Sequence, residues 1–347
     1  MNDTSEMRTI LGDTVEKLFA ENLDRKCRED AEAGEFPQAL WTAVEENGLT
    51  MALVPEDMGG TALSFEDTQV IIRGAGRHAV PIPLADCILA NGLMAKAGIT
   101  PPVGVTCLAP VRRKDSFTVD GEDVSGTAGR VPWGRNADHV LVAVGETLYL
   151  IAKDQFQIEE NQNLATEPRD SLRFQNAKAV AKGVLPDQDA STVLYQHGAM
   201  FRAGQIAGAL EAALEMAVQY ANDRTQFGRP ISKFQAIQQS LAVQAGNTAA
   251  SVAAATAAFK AADGDDPLFE IQVAKARTSE AVGGATSIAH QTHGAIGFTY
   301  EHDLHFLTRR LWSWRDEFGG SAYWSEAIGR DVAARGGDEL WSYLTKR

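Results

Sequence analysis

The hydrophobic period of this chain changes twice, and that order restricts the fold more than any single motif. From Thr4 to about Lys96 the pattern is helical. "RTILGDTVEKLFAENL" sets Ile10, Val15, Leu18 and Phe19 near one face, and "FPQALWTAVEENGL" reads as a shorter helix stopped by Gly48. Ser64 and Asp67 form a Ser-x-x-Asp capping box that opens the next helix. At Thr100-Pro101-Pro102 the texture becomes β-like. "SFTVDGEDVSGT", "HVLVAVGETLYLIA" and "QFQIEEN" alternate apolar with polar, or run β-branched between Gly and Asp turns. From about Ala190 the helical period returns and persists in long, Ala-rich segments. Ser232 to Gln235 reads as a capping box after Pro230, and Asp266-Pro267 as an N-cap with Pro at the first helical position.

The expected architecture is mainly α with a small β domain. A helical domain spans 1–100, a middle β-barrel or sandwich domain spans 101–188, and a C-terminal four-helix bundle spans 189–347. The content is 44% hydrophobic and 22% charged, enough to build real cores. A net charge of −14 argues against nucleic acid or an anionic membrane as the main partner, though a local arginine cluster still suits an anionic small ligand. Cys27, Cys87 and Cys107 show no CxxC spacing, so neither a zinc site nor a disulfide framework is indicated. The charged N-terminus is unlike a signal peptide, and no run is long and apolar enough for a membrane span. A soluble cytoplasmic protein is expected.

One stretch is oddly dressed for a helix connection: "RTQFGRPISKFQAIQQSLA", Arg224 to Ala242. Arg224 offers a charge-assisted donor to phosphate, Gln226 and Gln235 offer amides, and Phe227 and Phe234 offer flat apolar surface. Gly228 and Pro230 end one helix and hold the turn. A cap plus buried phenylalanines would be the plainer explanation. The pattern Arg224, Phe227, Gly228, Ile231, Phe234, Gln235, Gln238 resembles the Arg-x-x-Phe-Gly-x-x-Ile-x-x-Phe-Gln-x-x-Gln run of the acyl-CoA dehydrogenases. "QTHGAIGFTYEHDLHFLTRR" is similar to the glycine loop of the same family, with Ala295 in place of its second glycine.

The resemblance implies FAD, bound without a GxGxxG motif, across a subunit interface. It assigns Arg224, Gln226, Phe227, Ile231, Phe234 and Gln235 to the adenosine–pyrophosphate half. Gln291, Thr292, Gly294 and Ala295 would come from a neighbouring protomer. A homo- or hetero-oligomer is therefore implied, with an acyl-CoA substrate and an electron-transfer flavoprotein as electron acceptor. The implied reaction is α,β-dehydrogenation, in which a carboxylate takes the α-proton and flavin N5 takes the β-hydride.

The family's base, a Glu before a Gly, should fall in "RDEFGG". There Phe318 precedes Gly319 and Glu317 stands one residue earlier. On a helix one residue is a rotation of about 100°, so Glu317 is the catalytic candidate only if the backbone absorbs the offset. The family's other base position falls near Gly198, beside His197, where no acid sits. A third possibility is a chain without its own base. Such a chain would resemble one subunit of the bacterial α2β2 acyl-CoA dehydrogenases of steroid side-chain breakdown. The family's isoalloxazine contacts are also missing, since Arg130 and Pro132 occupy its Trp and Thr places and Trp133 reads as a core residue. Arg202 and Arg310 are candidate CoA contacts. His302 and His305 lie three apart, but the helix-start pattern around them is the family's, and no metal site is expected. A non-catalytic FAD-binding partner and a bare helical scaffold are the competing functions.

Overall fold

The computed structural model describes residues 3–346. Five helices come first: α1 (Asp3–Asn22), α2 (Arg25–Glu32), α3 (Gln38–Glu46), α4 (Phe65–Arg77) and α5 (Leu84–Lys96). Val15, Leu18 and Phe19 are buried as their spacing suggests, while Ile10 is 61% exposed on the opposite side. Ser64 caps α4 as expected: its Oγ accepts from Asp67 N at 3.0 Å and donates to the Asp67 carboxylate at 2.7 Å. A second cap comes from far along the chain, because Asp263 accepts from the free amides of Phe65 and Glu66.

The middle region contains β1 (Thr106–Ala109), β2 (Ser116–Asp120), β3 (Asp123–Pro132), β4 (His139–Val144), β5 (Thr147–Ala152), β6 (Phe156–Glu159) and β7 (Arg169–Val184). They form one seven-stranded sheet in the order β1-β4-β5-β7-β3-β2, with β6 on the remaining edge of β7. Only β1 and β4 pair in parallel. The long β7 makes the sheet curl: residues 179–184 pair with β5, whereas residues 169–178 pair with β3. Its first residue, Arg169, is thereby carried to the junction with the helices.

The C-terminal region is built on α6 (Ala190–Asp223), α7 (Gln235–Ala261), α8 (Leu268–His293), α9 (Leu304–Trp314), α10 (Ser321–Arg335) and α11 (Leu340–Thr345). From Gly198 to Leu210 every residue of α6 is buried, so this helix runs through the middle of the molecule rather than along its surface. It enters both hydrophobic clusters, one shared with the N-terminal helices and the sheet, the other within the bundle. Close approach to α4 depends on glycine: a Cβ at Gly208 would stand 2.0 Å from Arg73 O.

Two helix starts differ from expectation. α7 begins at Gln235 after a 3-10 turn, Ile231–Lys233, and Ser232 makes no cap; its carbonyl instead accepts from the Gln238 side chain. α8 begins at Leu268 with Pro267 at the cap, one residue later than read. Trp314 is buried and Trp312 is 37% exposed, as spacing two requires of a helix pair. Among the described residues no helix is long and apolar enough to cross a membrane, and no group of His, Cys, Asp or Glu could hold a metal ion.

Candidate functional site

Where the three regions meet, charged side chains form a continuous buried chain. Asp86, a lone acid on the apolar helix α5, accepts from Arg202 Nη2 at 3.0 and 3.1 Å. Arg202 Nε donates to Glu317 Oε2 at 2.6 Å, and Arg169 Nε donates to Glu317 Oε1 at 2.7 Å. Arg169 Nη2 reaches Glu167 at 3.0 Å, Arg310 Nε reaches the other Glu167 oxygen at 3.0 Å, and Arg310 also faces Glu32 of α2 at 3.6 Å. Trp314 Nε1 and Asn163 Nδ2 complete the Glu167 shell. Acids and guanidiniums alternate, so each buried charge has opposite neighbours, the arrangement that compensates desolvation.

This geometry bears on three sequence expectations. Glu317 has both oxygens committed to guanidiniums. Burial would raise its pKa, but Arg169 and Arg202 override that and hold it at about 2. A base for an α-proton needs a raised pKa, and Glu317 has the reverse. Arg202, 2% exposed, and Arg310, 1% exposed, are likewise spent inside the chain and present no guanidinium to a CoA phosphate.

The next residue, Phe318, is the more informative one. Its backbone is left-handed, φ 53°, an uncommon state for a bulky residue. The turn is pinned from outside: Trp324 Nε1 donates to Phe318 O at 2.9 Å, and Lys275 Nζ donates to both Arg315 O and Gly319 O at 2.7 Å. Burial lowers the Lys275 pKa from 10.5 to about 7. The Phe318 ring is buried, and a Cβ at Gly198 would lie 2.5 Å from it. Thus the two positions where the resemblance looks for a base are a phenylalanine and a glycine, and the ring of one fills the space over the other. His197, the remaining candidate, donates through Nδ1 to Val193 O at 2.9 Å and lines a different cavity.

Beside this plug opens a cleft of about 900 Å³. Arg112, Arg113, Lys114 and Arg130 line it; Arg112 is tied to Asp115, whose carboxylate accepts from its backbone N–H at 2.9 Å, and Arg113 lies over the Tyr323 ring. Trp133 is buried edge-on against Phe36 at 6.0 Å, which makes it a core residue. The cleft thus combines these cations with the aromatic side chains of Tyr195, Trp312, Phe318 and Tyr323.

The Arg224–Gln235 stretch is a small hairpin. Thr225–Gln226 pairs with Arg229–Pro230, and Phe227 and Gly228, both at positive φ, make the two-residue turn. Arg224 ends α6 and is exposed. Phe227 is 92% exposed, Phe234 lies edge-on to it at 6.1 Å, and Arg229 covers Phe234. Ile231 and Phe234 are half-buried and Gln226 and Gln235 exposed. Gln291, in the last turn of α8, and Gly294 and Ala295, just past it, are exposed, whereas Thr292 is buried and its hydroxyl donates to Ile288 O. Both segments lie at the same end of the bundle, where Tyr220 stacks on His293 at 4.6 Å. Between Gly198 and Arg224 the continuous helix α6 rises about 39 Å, at roughly 1.5 Å per residue. The hairpin thus sits at the far end of α6 from the cleft.

Sequence reasoning singled out the Arg224–Gln235 stretch as a turn, without its strand pairing, and the glycine loop. It missed Asp86, Glu167, Arg169 and Lys275, for which the one visible signal was an acid inside the apolar run "PLADCILANGL".

Comparison with known proteins agrees with the fold. Residues 5–99 match the model "Acyl-CoA dehydrogenase, N-terminal domain", and residues 190–331 match "Acyl-CoA dehydrogenase, C-terminal domain". Acyl-CoA dehydrogenase IpdE2 of Mycobacterium tuberculosis is 27% identical, over 97% of this chain and 98% of its own length. The Tcur3481-Tcur3483 steroid ACAD structure superposes with a TM-score of 0.87 at 24% identity, covering 96% of this chain and 99% of that one. The ChsE4-ChsE5 complex from M. tuberculosis gives 0.86 at 20% identity, covering 94% and 97%. With family models on both helical regions and the same fold throughout, the chain belongs to the acyl-CoA dehydrogenase family of oxidoreductases.

Proposed function

We propose that this chain serves FAD-dependent α,β-dehydrogenation of an acyl-CoA thioester as the partner subunit of a hetero-oligomer, and that the proton-abstracting carboxylate comes from a related subunit. The observation that carries this reading is Phe318, buried over Gly198, with its neighbour Glu317 clamped between Arg169 and Arg202. A thioester could reach no unpaired carboxylate there.

The residues that would hold FAD are those of the exposed hairpin. Arg224 offers an unpaired cation to pyrophosphate, Gln226 and Gln235 offer amides, and Phe227, Ile231 and Phe234 offer apolar surface to adenosine. Gln291, Thr292, Gly294 and Ala295 would add backbone and amide contacts from a second chain. The hairpin is too far along α6 to meet a dinucleotide whose ring sits in this chain's own cleft, so it suits a flavin seated in another protomer. When bound, the flavin accepts the substrate's β-hydride; electron-transfer flavoprotein is the acceptor we propose for the electrons. Two of the solved structures of this fold are named as pairs of chains, and one is called a steroid ACAD. These names support a paired assembly acting on a steroid-derived acyl-CoA; a cytoplasmic location is part of the same proposal.

Co-purification with the product of the neighbouring gene tests the proposal. The expected result is an active complex with about one flavin for each pair of chains, and a colourless product when this chain is made alone. A yellow, active homo-oligomer of this chain would overturn it.

A further inference from the structure

A second cavity, of about 590 Å³, lies between α5, the first turns of α6 and the loop joining α7 to α8. It shares no lining residue with the 900 Å³ cleft. Its size falls in the range of roughly 300–1,000 Å³ found for small-molecule sites. Leu53, Leu63, Phe65, Leu89, Leu93 and Val193 supply apolar walls.

Two polar side chains of this lining, Gln196 and His197, have unpartnered atoms among the described residues, and His197 is the one held in place by a hydrogen bond of its own. The His197 ring lies tilted against Phe65 at 5.3 Å. Its Nδ1 is used by Val193 O, while Nε2 has no hydrogen-bond partner among the described residues. Burial lowers its pKa below the ordinary 6.5, so the ring is neutral and Nε2 is an acceptor. At the mouth stand Asp189, Asp263, Asp265 and Asp266, against the single cation Lys96, which is turned to Gln188 at 3.3 Å. Asp189 caps α6 and Asp263 caps α4, so these acids are fixed in place.

We infer that this cavity is a binding site for an uncharged, mostly apolar alcohol, whose hydroxyl donates to His197 Nε2. Apolar walls favour a hydrocarbon body, and the fixed imidazole acceptor, with the Gln196 amide beside it, suits a hydroxyl, which both donates and accepts. The acidic mouth repels carboxylates, and also CoA thioesters with their phosphates. A full cation would be drawn to the mouth but would lose its hydration inside. The site stands independently of the partner-subunit reading, because it uses neither the hairpin nor Glu317.

The test uses 1-octanol and octanoate as probes of the full chain, in whatever complex it is purified, with binding followed by calorimetry and ligand-observed NMR. We expect saturable 1-octanol binding at one site and at least tenfold weaker binding of octanoate. Val193→Trp, which fills the cavity, should abolish 1-octanol binding; if that variant fails to fold, Leu63→Trp fills the opposite wall. His197→Phe keeps the ring volume and should weaken 1-octanol several-fold. Absent or unsaturable binding, octanoate binding as tight as 1-octanol, survival of binding in the filled variants, or an unchanged affinity in His197→Phe would each overturn the inference.

Discussion

Replacing Glu317 with Gln separates a structural carboxylate from a catalytic one. The structure puts the magnitude within reach. The carboxyl titrates at about 2 against an ordinary 4.5, its side chain is only 12% exposed, and each pH unit of that gap corresponds to about 1.4 kcal/mol of preferential stabilisation of the anion. The ion pairs with Arg169 and Arg202 therefore stabilise the fold by about 3 kcal/mol, in line with the roughly 3–5 kcal/mol lost when one partner of a buried pair is removed. Because the folded value is depressed, this stabilisation is complete above the unfolded value of 4.5 and fades as pH falls toward about 2. At pH 7 the variant should melt about 4 °C lower. Between pH 4.5 and 3 its stability should vary less with pH than that of the parent. Turnover per bound flavin in the assembled complex should stay within a few-fold. A variant with unchanged melting temperature and turnover reduced by a factor of about 100 or more, the loss expected of a missing general base, would refute the argument and return Glu317 to the mechanism.

Lys275 gives a prediction in a higher pH window. Its folded pKa of about 7 lies below the ordinary 10.5, so the unfolded chain binds the extra proton across that window and stability should rise with pH from about 7 to 10.5. Lys275→Met should remove this rise in chemical-denaturation curves. It should also loosen the Arg315–Gly319 turn, measured as faster amide exchange there, because Nζ is the donor to both carbonyls. Arg224→Ala should leave thermal stability within about 0.5 kcal/mol, as for other exposed positions. The same change should lower the flavin content of the co-purified complex; unchanged occupancy would detach the hairpin from the cofactor.

The fold was legible because its signals are local. Period, turn residues and the Ser64 capping box need only a few neighbouring positions, and they placed the sheet between two helical regions. Where local chemistry misled, tertiary packing had intervened. Ser232 resembles a cap, yet the 3-10 turn before α7 keeps it from one, and α4 receives its second cap from Asp263, which no nearby sequence announces. The Arg224–Gln235 stretch, which we propose contacts flavin, was readable as a run of residue types on one exposed turn. The ion chain was not, because all its links but Glu167–Arg169 join positions 115 or more apart, and a charge in a sequence is ordinarily read as solvated. The displacement of Glu317 by one residue was visible. Its meaning depended on seeing Phe318 turned inward at positive φ, with the acid left to the arginines.

The bare aromatic tip of the hairpin has a consequence for supply. Phe227 stands almost wholly in water, and Phe298 and Tyr300 are also open at that end of the bundle. A molecule with such a tip left uncovered is self-adhesive. Any surplus of this chain over whatever shields Phe227 should clump or be degraded, so balanced synthesis of the two gene products would matter as much to yield as the intrinsic strength of either fold.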